Sequence, residues 1–194
     1  MALTFEQRLN QILPKISSPD FLNSKGLGNE IGFWIFDYPA QRELEMRDFL
    51  HHTIFPNLTK SQPPIRIIEV NLFNLILELL GERKLLDKVL EMQCKKGDEA
   101  VLTALRPVLK EDKLADKLVT NININDIDVL ILHGVGSAYP MIRTHTLLSA
   151  LHPLMRQVPL LMFYPGKYDG HSLRLFNQLS EDHYYRAFRL VPEA

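Results

Sequence analysis

A single cysteine, Cys94, stands among 194 residues, so the chain cannot close an intrachain disulfide or build a structural zinc site on thiolates. An excess of one charge is also lacking: 22 Lys and Arg meet 23 Asp and Glu, for a formal net charge of -1. That balance supplies no broad positive field, and strong direct nucleic-acid binding is not expected. No apolar run is long enough to cross a bilayer; the richest, Val70 to Leu80, is short and carries Glu78. Met1 to Ile16 holds Glu6, Arg8 and Lys15 and lacks the continuous apolar core of a signal peptide. A reducing, cytoplasmic setting with no membrane partner is the expectation.

Motifs are scarce as well. The phosphate loop GxxxxGK followed by Ser or Thr is absent, as are GxSxG and any HxxxH pair. His145 and His152 would lie two helical turns, roughly 10 Å, apart, too far to share an ion. Gly26, Gly28 and Gly32 imitate a dinucleotide fingerprint but precede their strand, the wrong side for a phosphate cradle. No catalytic residue, metal or cofactor is assigned.

What is present alternates between the two regular periods. Phe5, Leu9, Ile12, Leu13 and Ile16 recur at helical spacing, predicting an amphipathic helix over 4–16, with Ser18-Pro19-Asp20 opening a short second one. Ile31 to Phe36 is continuously apolar and suits a strand buried on both faces. Pro39 starts a helix to about residue 51. Ile65 to Val70 is a second strand, Val129 to Leu132 a third, Leu160 to Tyr164 a fourth and Tyr185 to Val191 a fifth. A helix is predicted from about Pro140 to Leu151, and Leu173, Leu175, Phe176 and Leu179 suggest another after a Pro165-Gly166 turn. Between the second and third strands, residues 71–122 carry four apolar helical stripes, about fifty residues where a crossover needs roughly a dozen. The expectation is one α/β domain over 1–194. It would have three layers, a mostly parallel sheet of about five strands, and 71–122 as a helical insertion.

Parallel sheets bind ligands where their strands end. The residues that follow the strands are therefore candidates: Asp37 and Tyr38; Asn71 and Asn74; His133, Gly134, Gly136 and Ser137; and Tyr164, Gly166, Lys167, Asp169 and His171. Gly134-Val135-Gly136-Ser137 before a helix fits an anion held on backbone N–H groups, or else a tight turn with Ser137 near the cap. No lysine follows Gly136 within reach. Arg143 and His145, in the first turns of the next helix, could hold an anion or a partner's carboxylate, or Arg143 could pair with Asp37. Lys167 could neutralise a phosphate and His171 move a proton, or Asp169 could bond its own backbone in an ordered turn. Weak ligand-binding candidates are thus Asp37, Gly134, Gly136, Ser137, Arg143, Lys167 and Asp169. The stripes of 71–122 alternate with Lys84, Lys88, Lys95, Lys96, Lys110 and Lys113, which leaves room for protein docking.

Several blocks in order carry a resemblance over nearly the whole chain. They are Gly28 to Gly32 running into Phe36-Asp37-Tyr38-Pro39; Val70-Asn71-Leu72-Phe73; Gly134 to Ser137 through Pro140, Arg143, His145 and Leu148; Phe163-Tyr164-Pro165-Gly166 with Tyr168-Asp169-Gly170 and Leu173-Leu175-Phe176; and Tyr184 to Phe188. Together they resemble the BrxB family of the BREX bacteriophage-exclusion systems. The resemblance implies a role in antiviral defence beside a DNA methyltransferase, a large ATPase and a PglZ-type protein. Its expected form is a non-catalytic adaptor, with a ligand-sensing or weakly catalytic strand-end crevice as the alternative. It transfers no catalytic residues. It also implies a degenerate P-loop-NTPase-like or Rossmann-like fold, with Asp37-Tyr38-Pro39 where the lost phosphate loop would follow the first strand.

Overall fold

Thr4 opens the first helix in the computed structural model, which describes residues 3–23, 32–181 and 187–192. Its hydroxyl accepts from the Gln7 N–H while the Gln7 side chain accepts from the Thr4 N–H, a reciprocal cap for α1 (Phe5–Ile16). α1 buries Leu9, Ile12 and Ile16. Ser18 then caps α2 (Pro19–Leu22). Gly26 and Gly28 of the rejected fingerprint lie outside the described residues.

β1 (Phe33–Tyr38) is almost wholly buried, as its unbroken apolar run requires. After a 3-10 turn at Ala40–Arg42 come α3 (Glu43–Phe49), a π-helical turn Leu50–Ile54 and α4 (Phe55–Thr59), so this helical stretch outruns the predicted end near residue 51. β2 (Ile67–Asn71) leads into four helices, α5 (Leu72–Glu82), α6 (Leu86–Lys96), α7 (Asp98–Leu105) and α8 (Glu111–Asn121). β3 (Val129–His133) follows, then two helices where one was predicted: α9 (Val135–Ala138), which begins at left-handed Gly134, and α10 (Thr144–Leu151).

Among the described residues the sheet has seven strands where about five were expected. β4 (Leu160–Tyr168) runs straight through the predicted Pro165-Gly166 turn. Its continuation pairs antiparallel with β5 (Leu173–Leu175), which pairs with β6 (Leu179–Glu181), so the predicted helix over 173–179 is a hairpin. Buried Leu173 and Leu175 flank exposed Arg174, a period of two, and Phe176 and Asn177 turn the chain at φ 54° and 60°. Gly166 makes the pairing possible: a Cβ there would lie 2.2 Å from the Arg174 carbonyl oxygen. The last strand is short, β7 (Phe188–Arg189), and residues 185 and 186 of the predicted strand lie outside the described residues.

The central path runs β2-β3-β4-β1-β7, each neighbour parallel. The connection from β1 to β2 heads toward one edge, and those from β2 to β3 and β3 to β4 come back. Right-handed crossovers must then set their helices on opposite faces. Two buried clusters show that segregation. One joins Phe33, Ile35, Leu130, Leu132, Leu160 and Met162 to α5, α7, α8 and α10. The other joins Phe36, Ile131, Leu161 and Phe163 to α1, α3 and α4. The class is α/β.

Candidate functional site

Parallel pairing brings the carboxyl ends of β1, β2, β3 and β4 to one rim. A Cβ on Gly134 would lie 2.6 Å from Asn71 Oδ1, and one on Gly136 would lie 2.9 Å from the Phe176 ring and 3.3 Å from Pro165 Cγ. The glycine turn thus meets both the end of β2 and the hairpin. Asn71 Oδ1 is itself engaged, accepting from Phe73 N and Asn74 N to cap α5. Gly134 needs its freedom, with φ at 73°.

The sequence candidates separate on this frame. Asp37 lies inside β1, not after it, and is fully buried. Its Oδ1 accepts from Arg8 Nη2 at 2.6 Å, and its Oδ2 accepts from Tyr168 N at 3.0 Å and sits 3.2 Å from Arg189 Nη2. It ties α1, β4 and β7 together, and its cations are Arg8 and Arg189, not the Arg143 that the sequence offered. Arg143 is exposed at the start of α10 and lines a recess of about 340 Å³ with Arg106, Glu111 and Met141. It faces the helical segment. Lys167 stands exposed on β4 opposite Arg174. Asp169 closes its own turn, accepting from Ser172 N (2.7 Å), Ser172 Oγ (2.7 Å) and His171 N (2.8 Å). Those bonds pull its carboxyl down to about 2. Ser137 is exposed and accepts from Arg47 Nη2 at 3.3 Å.

That last contact leads into a polar network the sequence reading did not assemble. Glu43 accepts from Tyr38 OH at 2.5 Å and from Arg47 Nε at 3.0 Å. Burial, then the Glu43 carboxylate, pushes the Tyr38 phenol far up. On the same face the His133 imidazole shares a 2.5 Å hydrogen bond between Nε2 and Glu69 Oε1, with the His51 and Phe55 rings 6.0 and 6.3 Å away. His133 Nδ1 is buried without a hydrogen-bond partner. Burial depresses the His133 pKa below 6.5, and the Glu69 bond opposes that shift. Glu43, Arg47 and His51 follow at i, i+4 and i+8, a helical stripe visible in the sequence. His51 lies in the π turn, a frequent feature of functional sites. Among the described residues no group of three or more His, Cys, Asp or Glu is placed to hold a metal ion. No helix of these residues is long and apolar enough to cross a membrane.

A second feature lies on the helical segment. α5, α6 and α7, with Met141, enclose an apolar groove of about 500 Å³ whose walls include Ile76, Leu80, Val89 and Val101. Leu77 and Leu90 on its margin are 38% and 53% exposed, high for leucine.

Comparison with known proteins places these features in a family. The profile described as "BREX protein BrxB" matches residues 68–190. A BREX protein BrxB of Escherichia coli O9:H4 (strain HS) is 42% identical over 188 residues, covering 97% of this chain and 92% of the relative. One from Bacillus cereus (strain H3081.97) is 42% identical over 187 residues, covering 95% and 96%. No solved structure matches. The chain belongs to the BrxB family of BREX proteins.

Proposed function

We propose that this BREX component acts as a non-catalytic adaptor that assembles other defence proteins, a PglZ-type protein first and the DNA methyltransferase second. The observation that carries the reading is the apolar groove between α5, α6 and α7, lined by side chains that a folded chain ordinarily buries against itself. The rim supports it from the other side: Tyr38, Glu43, Arg47 and Ser137 are bonded to one another, and Asp37 is consumed by two arginines. We further read the sheet as a P-loop-NTPase-like one that has lost its phosphate loop. In support, a central β1 is followed directly by Pro39 and a 3-10 turn instead of a glycine-rich loop. The test is co-purification of the tagged chain with the PglZ-type protein and methyltransferase of its own system. Leu90→Asp should release the partner while leaving the fold intact. A chain that stays alone, or a partner held equally by the variant, would end the adaptor reading.

A second reading keeps the crevice as a site for a nucleotide or another anionic ligand. The observation favouring it is His133 Nδ1, buried and unsatisfied beside His51. Calorimetry with ATP, GTP and short DNA tests it; no heat at millimolar ligand in folded protein removes it.

A further inference from the structure

β2 is the outermost strand on its side of the path, with β3 on one edge and no strand on the other among the described residues. The Arg66 carbonyl accepts from Asp128 N (2.7 Å) and Val129 N (3.3 Å), so Arg66, and by alternation Ile68 and Val70, turn their backbone groups toward β3. Ile67 and Glu69 turn theirs outward. None of the five residues of β2 is fully buried, unlike those of β3, all of which are. An open edge of this kind is a template for another strand.

A cleft of about 220 Å³ runs beside that edge, walled by residues 68–71 of β2, by Asn74 and Glu78 of α5 and by Asn121 of α8. Of the two acidic residues along it, Glu69 already shares a hydrogen bond with His133 Nε2, which leaves Glu78. Cations at the margins are already engaged: Arg66 by Asp128 through two bonds, at 2.8 and 3.1 Å, and Lys117 by Glu82.

We propose that the free edge of β2 takes an extended, lysine- or arginine-bearing segment of a partner protein as an added strand. Outward N–H and C=O groups supply the pairing, and the Glu78 carboxylate selects the side chains. A second copy of this chain fits poorly. Two-fold antiparallel pairing about the middle of β2 sets Glu69 opposite Glu69, and like charges directly opposed destabilise a pair. The edge is distinct from the apolar groove and does not depend on it.

The test is amide chemical-shift mapping with a synthetic peptide of about ten residues alternating valine and lysine, against its valine–glutamate counterpart. The lysine peptide should shift the Ile67 and Glu69 amides, and the glutamate peptide should bind at least about fivefold more weakly. Glu78→Lys, at an exposed position, should weaken the lysine peptide by a similar factor. Ile67→Pro, which removes an outward donor that edge strands can spare, should abolish the shifts. Should Ile67→Pro unfold by circular dichroism, Glu78→Lys decides. Unshifted β2 amides, equal binding of both peptides, indifference to Glu78→Lys, or self-association through β2 in sedimentation would each overturn the proposal. Partner loss caused by Leu90→Asp alone bears on the groove and leaves this result standing.

Discussion

Arg8 and Asp37, 29 residues apart in the chain, meet inside the protein with 2.6 Å between guanidinium nitrogen and carboxylate oxygen, and both are almost fully buried. Arg8 also lies 4.8 Å from the centre of the Phe36 ring and donates to the Val191 carbonyl. Breaking such a pair strands a charge away from water. Arg8→Ala should cost about 3–5 kcal/mol of stability in denaturant unfolding. Asp37→Ala should cost at least as much, because it leaves Arg8 and Arg189 confronting each other. An Asp37 variant with unchanged stability would contradict this role.

His133 should make the protein acid-sensitive. Its folded pKa is depressed below 6.5, so the unfolded chain binds the proton more readily. Stability is therefore complete above about pH 6.5 and is lost as pH falls through the lowered value. Urea midpoints measured from about pH 7 to about pH 5 should fall, and His133→Gln should flatten the slope. Glu69→Gln removes the bond that raises the imidazole pKa, so it should steepen the slope. An unchanged slope in both variants would count against the assignment.

Asp169 should protonate well below an ordinary exposed carboxyl near 3.8: its midpoint should be about 2 by carbon NMR. The stabilisation is present above the unfolded value and vanishes as pH falls through the folded one. Ser172→Ala removes one of the three bonds and should return the midpoint part of the way toward 3.8.

The glycines divide sharply. Gly166→Ala forces a Cβ against a β5 carbonyl at 2.2 Å and should unpair the hairpin, seen as loss of amide protection over 166–175. Gly81, inside α5 with open space where its Cβ would be, should accept alanine with a gain of about 0.5–1 kcal/mol.

These contrasts mark what could be read from the chain. Buried strands such as β1 and β3 announce themselves as unbroken apolar runs, and the stripes of 71–122 correspond to α5 through α8. The hairpin was missed because Leu173, Leu175 and Leu179 satisfy a period of two as well as one near four. Its enabling feature, Gly166, has meaning only once β5 lies beside it. The rim network escaped for a similar reason. Glu43, Arg47 and His51 are spaced for one helix face, but only the sheet order sets that face against His133, some eighty residues further on. Asp37 looked like a strand-end ligand because nothing local shows that Arg8 and Arg189 arrive from opposite ends of the chain.

β4 belongs to two pairings at once. Leu160 to Pro165 pairs with β1, its first three residues with β3 as well, and Gly166 to Tyr168 carries the hairpin. There is no joint between the two halves of that strand. A load placed on the tip at Phe176 and Asn177 is therefore delivered along a single stiff beam into the middle of the molecule, where Tyr168 N rests on Asp37.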